Sequence, residues 1–266
     1  MEFEQKFNEL MKRKVEVHPR LASLEKAALY DFNGTLVEMK GTGGIYERKI
    51  REMLEPMNQN ASDRKIAKYV LNKVKSPKRG TKAREVYYDF LELAIERGEV
   101  KMVAFPDVFK KGNAIENDRK AGLKIISFSR GTDALMKKSM EASGTTRIIG
   151  KMYSSIPYGG EKTAACYSGF FLDLLKERKL IVKSYEDEWQ NVREMLIADL
   201  ALAVLLKMQS LPFQIIWVDR KNEIMGERVA AEFKHTEAAY EAIRKKYGIG
   251  TGFGTAVQRK RSLLLR

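Results

Sequence analysis

The spacing of apolar residues changes several times along the chain, and each change marks an element. "EFEQKFNELM" carries its apolar residues at helical spacing, and the following "VEVHPR" contains Pro19, which blocks a helix interior. Residues 1–26 therefore read as an extension packed on the domain that follows. "AALYD" (27–31) is a short apolar run stopped by the turn sequence "NGT", the pattern of a buried strand. From Gly41 to about Val103 the period becomes three and four: "IYERKIREMLEPM", "SDRKIAKYVLNKV" and "TKAREVYYDFLELAIERG" predict about three helices, with Ser62 and Thr81 as caps and Gly98 as a stop. "AFPDV" then opens a helix-like stretch. "AGLKIISFS" (121–129) predicts a buried strand, "TDALMKKSMEASG" a helix and "TRIIGKMYS" (146–154) another strand. Helical patterns fill roughly 163–178 and 186–209, and "FQIIWVD" (213–219) is the last clear strand before the helical "EIMGERVAAEF" and "TEAAYEAIRKKYG".

Strands alternating with helices predict a parallel α/β sheet, doubly wound, with residues 27–40 and 104–266 as the core domain and 41–103 as a small all-helical domain inserted in it. Ligands of such sheets sit beyond the carboxyl ends of the strands. The expected strands end at Asp31, Ser129 and Asp219, and the loop after the remaining one leads to Lys162, so these polar groups would converge on one crevice.

Composition narrows the class. The chain has 266 residues, 44% of them hydrophobic, and a net charge of +14 that attracts anions from nucleic acid to small phosphorylated metabolites. Basic and acidic residues are mixed along most of its length; "NKVKSPKRGTKAR" (72–84) and the tail "QRKRSLLLR" are the exceptions, and neither interleaves aromatics as a single-strand platform would. Nucleic-acid binding is thus a minor reading. The single Cys166 excludes an internal disulfide and a thiolate cluster within one chain, so reducing conditions are expected. "MLIADLALAVLLKM" (195–208) is too short for a membrane span and contains Asp199, and the acidic start lacks the form of a secretory signal, so a cytoplasmic protein without a membrane partner is expected. His18 and His235 lack ligand spacing, "GIGTGFG" (248–254) reads as a flexible turn, and no P-loop pattern occurs.

The ordered blocks resemble the haloacid dehalogenase-like (HAD) superfamily, whose members are mostly magnesium-dependent phosphatases. Its first motif, a strand followed by Asp-x-Asp-Gly-Thr, is similar to "LYDFNGTL"; its second, a strand ending in Ser or Thr, to "LKIISFS" at Ser129; its third, a Lys, to Lys162 in "YGGEKTAA". The fourth, a strand leading into two acidic residues, is matched to "IIWVDRKNE", with Asp219 and Glu223. The resemblance covers about residues 27 to 232 and implies a Rossmann-type core with a helical C1-type cap at the insert. It also implies a nucleophile, Asp31, attacking a small phosphorylated substrate, and Mg2+ held by Asp31, Asp219, Glu223 and the main-chain carbonyl of Asn33. Thr35, Ser129, Arg130 and Lys162 would hold the phosphate. The bland alternatives are a plain turn at Asp31 and helix N-terminal charges at Asp219 and Glu223.

One position departs from the motif. Asn33 stands where the family's phosphatases carry the Asp that protonates the leaving oxygen and later activates water. An amide has no proton to cycle, which predicts slow hydrolysis of alkyl monoesters and a preference for substrates with better leaving groups, unless another side chain supplies the proton or the Asn was introduced by engineering. A catalytically impaired relative that binds a phosphorylated ligand as a sensor is the alternative.

Overall fold

The structure is a computed structural model that describes residues 2–12, 23–41, 88, 91–220 and 226–264. Most of the expected helical insert, the basic loop 72–84, His18 and Glu223 lie outside those residues.

Six strands form a parallel sheet: β1 (Glu25–Tyr30), β4 (Lys124–Ser129), β5 (Lys151–Ser154), β6 (Lys179–Glu186), β7 (Gln214–Val218) and β8 (Val257–Lys260), in the order β5-β4-β1-β6-β7-β8. Apart from it, β2 (Val37–Lys40) and β3 (Lys101–Ala104) pair antiparallel, Lys40 opposite Lys101. The two strands that flank residues 41–100 in the sequence thus lie side by side. Residues 91–96, just before re-entry, are helical.

Both faces of the sheet are covered, which explains the unbroken apolar runs in β1 and β7. Ala27 and Leu29 face one core, together with Ile215 and Trp217; Ala28 and Tyr30 face the other, with Ile216 and Val218. The first core is closed by α1 (Glu2–Met11), α4 (Ala164–Lys176), α5 (Trp189–Leu205) and α6 (Glu227–Tyr247), while α2 (Ala114–Lys120) and α3 (Asp133–Ser143) flank the second. α5 packs against α1, α4 and α6 at once, which is why it is apolar on every side. Phe3, Phe7 and Leu10 of α1 lie in that core, and Lys6 of α1 pairs with buried Glu194 of α5. Among the described residues no helix is long and apolar enough to cross a membrane.

Local sequence explains where the elements stop. Thr132 and Thr163 cap α3 and α4 by accepting the amides of Leu135 and Cys166, both at 3.2 Å. Gly248 ends α6 at φ 70°, so part of "GIGTGFG" is a helix stop, and its last residues form the short α7 (Phe253–Ala256). Several elements differ from expectation, β2 and β3 among them as strands that the apolar pattern does not predict. The two helical patterns after β7 form one continuous helix, α6. β6 occupies residues expected to join two helices, and β8 arises from the basic tail.

Candidate active site

The order of the sheet makes a crevice between β1 and β6. The chain moves from β1 to β4 and β5 on one side, then crosses to β6 and continues to β7 and β8 on the other. Carboxyl ends of strands at such a reversal are where α/β sheets bind ligands. Asp31 follows β1 and is anchored there by its amide, which donates to the Tyr185 carbonyl of β6 at 2.8 Å. Glu186 ends β6 and Asp187 follows it.

These three carboxylates are buried, and one oxygen of each lies within 4.8 Å of the others. Lys162, 5% exposed, bridges two of them: its ammonium donates to Asp31, and to Glu186 Oε2 at 2.9 Å. Glu186 is held further by the Tyr167 hydroxyl (3.1 Å), the Asn191 amide (3.2 Å) and the Asp187 backbone N–H (3.2 Å). Asp187 packs on the turn after Asp31. Thr35 Oγ1 is 3.5 Å from its Oδ1, and Gly34 lies so close that a Cβ there would stand 1.9 Å from its Oδ2. With φ at +88°, Gly34 is doubly constrained to be glycine.

One lysine does not balance three acids. Burial, then the charge of Glu186, pushes the Asp31 carboxyl up to about 6 against the pull of Lys162. Burial, then Asp31 and Glu186, pushes Asp187 up to about 9. Glu186 is itself buried, but Lys162 and its other donors hold its carboxyl below the ordinary value. The Lys162 ammonium is correspondingly held above its usual range by Asp31 and Glu186, in spite of its burial. A cluster of buried oxygen ligands with surplus negative charge fits a hard divalent cation.

The remaining expected residues fall around this centre. Ser129 is buried at the end of β4, the strand beside β1, two residues beyond the register pair Tyr30–Ser127. Arg130 is half-exposed at the rim, where it meets Asn191 Oδ1 at 3.3 Å, Glu188 at 3.5 Å and Glu161 at 3.8 Å. Thr35 is fully buried, and Asn33 is exposed in the turn, where it forms an isolated bridge with Val37.

Asp219 follows β7, two strands away from β1. β6 stands between β7 and β1, a lateral separation of roughly 10 Å at ordinary strand spacing. Asp219 is engaged by Arg259 of β8, Nε at 2.8 Å and Nη2 at 2.7 Å. The carboxylates that gather at Asp31 are instead Glu186 and Asp187. The signal was present in "KLIVKSYED", a β-rich apolar run leading into two acids, but a helix expected from residue 186 absorbed its end.

No family model matches the sequence, and no curated protein does. Solved structures do resemble the fold. CbbY from Rhodobacter sphaeroides in complex with phosphate is 13% identical over 73% of this chain and 85% of that one, with a TM-score of 0.44. A HAD family hydrolase from Deinococcus radiodurans R1 with bound phosphate and sodium is 17% identical over 90% and 93%, with a TM-score of 0.39. An L-2-haloacid dehalogenase is 13% identical over 74% and 87%, with a TM-score of 0.41. The solved structures that the chain is similar to thus include a HAD family hydrolase and an L-2-haloacid dehalogenase.

Proposed function

We propose that the chain is a magnesium-dependent HAD-like phosphohydrolase acting on a small phosphorylated molecule. The observation that carries this reading is the buried group of Asp31, Glu186 and Asp187 with Lys162 at the β1/β6 crevice. Asp31 is the nucleophile: its carboxylate attacks phosphorus, the bond to the leaving oxygen breaks, and an aspartyl phosphate forms that water then hydrolyses. Asp31, Glu186, Asp187 and the Asn33 carbonyl would hold Mg2+, which when bound supplies the charge neutralisation that lets an anion approach these acids. Lys162 offsets charge on Asp31 and Glu186, while Ser129, Thr35 and Arg130 line the phosphate's approach.

The test is phosphate release from a panel of alkyl esters, aryl esters and acyl phosphates, with magnesium and with chelator. Turnover should require the metal and favour the better leaving groups. Full turnover in an Asp31→Ala variant would remove the nucleophile assignment.

Asn33 favours a second reading, a protein that binds a phosphorylated ligand without turning it over efficiently. The exposed amide has no proton to give. Tight, magnesium-dependent phosphate binding with no release of product from any substrate would support it.

A further inference from the structure

The end of β7 reaches the nucleophile's loop through the residue after Asp219. Arg220 donates from Nη2 to the main-chain carbonyl of Thr35 at 2.8 Å. The same guanidinium is fixed by Asp107, Nη1 to Oδ2 and Nη2 to Oδ1, both at 3.0 Å, and stacks on the Phe105 ring, 4.0 Å from its centroid. Asp107 is 6% exposed and has another donor: the backbone N–H of Leu263, at 2.8 Å. Leu263 is buried and its carbonyl accepts the Ala114 amide at 2.8 Å, so the C-terminal segment is strapped across the base of this ion pair. Asn113 completes the frame by donating to the Asp107 carbonyl at 3.1 Å.

We propose that Arg220 is a positioning residue for the loop 31–37, and that the strap at Leu263 holds it in place through Asp107. The loop itself is tight. The Leu36 and Val37 amides both donate to the Phe32 carbonyl at 3.0 Å, so a shift at Thr35 is passed back along the turn that follows Asp31. Among the described residues, Arg220 bonds to Asp107 and the Thr35 carbonyl and not to the acidic cluster, so its influence on the chemistry runs through backbone. A planar fork can grip a carboxylate with two parallel bonds and still reach a carbonyl; an ammonium cannot reproduce that geometry.

The catalytic part of this inference rests on the phosphohydrolase reading, so two readouts are needed. In Arg220→Lys, hydrogen exchange of the Leu36 and Val37 amides should be about tenfold faster, and kcat about 10–100-fold lower with KM little changed, because misplacing a reacting group by a fraction of an ångström has effects of that order. Asp107→Asn, which keeps the shape and weakens the fork, should shift both readouts the same way and serves if Arg220→Lys does not fold. If the wild-type protein turns over no phosphoester, the phosphohydrolase reading fails, and faster exchange in the variants still supports the positioning of the loop. Unchanged exchange in a folded variant, or faster exchange with wild-type kcat, would overturn the proposal.

Discussion

β6 and β7 are neighbouring parallel strands, and a buried carboxylate follows or ends each of them. They differ in what surrounds that carboxylate. At the end of β7, Asp219 meets the guanidinium of Arg259, a pairing of one acid with one base that β8 supplies by lying in register beside it. At the end of β6, Glu186 and Asp187 join Asp31 around the single ammonium of Lys162, and burial and mutual repulsion push Asp31 and Asp187 upward. In the first arrangement the acid has a guanidinium of its own. Among the described residues the second has more buried acid than buried base, and it stands at the reversal of the sheet order. An acid at a strand end thus becomes reactive when its charge is left uncompensated, and its place in the strand order decides whether it can be.

Substitutions at the two strand ends should break apart accordingly. The largest effect is expected at the shared partner: Asp31→Ala should lower phosphate release by roughly 10⁴-fold or more, as loss of a covalent nucleophile does. Next comes Asn33→Asp. If the β6 end is a full machine lacking only a proton donor, this variant should raise turnover of alkyl monoesters by about 10²–10⁴-fold, the usual worth of general acid–base catalysis. Unchanged turnover would instead support the binding reading. Smaller, and a direct comparison of the strands, is magnesium affinity by calorimetry. Asp187→Asn should weaken it at least about tenfold, or about 1.4 kcal/mol. Asp219→Asn should leave it unchanged and lower stability by about 1–3 kcal/mol, since a charged hydrogen-bond pair is broken. Equal losses of affinity in the two variants would erase the distinction drawn between the strand ends.

The sequence made the end of β1 legible and missed that of β6, for physical reasons. Asp31 could be read because β1 is buried on both faces and so appears as an unbroken apolar run stopped by a turn. Ser129 could be read for the same reason in β4. Lys162 was found by order along the chain, not by any local pattern. β6 was harder: "KLIVKSYE" mixes buried and half-buried positions, Lys183 reaches Asp118, and the run passes into a long, largely buried helix with only a short turn between. A period-based reading merges such neighbours. Asp219 misled because its neutralising partner belongs to β8, a short edge strand of mostly basic and polar residues that has no strand-like period at all. Pairing of that kind is a long-range property, and the same holds for Arg220 and Leu263, which meet Asp107 from more than a hundred residues away in sequence.

A third buried acid carries the comparison to its limit. Asp199, in the middle of α5, is wholly buried, and among the described residues neither of its carboxyl oxygens has a hydrogen-bond partner. Burial pushes this carboxyl well above its ordinary value; the Phe213 amide nearby opposes that only weakly. Among the described residues it has no cation beside it, unlike Asp219, and it lies outside the acidic cluster, so it should act on stability alone. The folded protein keeps its proton at a pH where the unfolded chain has released it. Stability is therefore intact below the ordinary carboxylate range and is lost as pH rises above it. Asp199→Asn removes that proton linkage. In urea denaturation at pH 5.0 to 7.5, the variant should gain on the wild type by up to about 1.4 kcal/mol for each pH unit. Because every other titrating group is common to both proteins, the difference between the two curves isolates this one residue. Curves that stay parallel would mean that Asp199 is solvated or paired in the folded chain and is not an uncompensated acid at all.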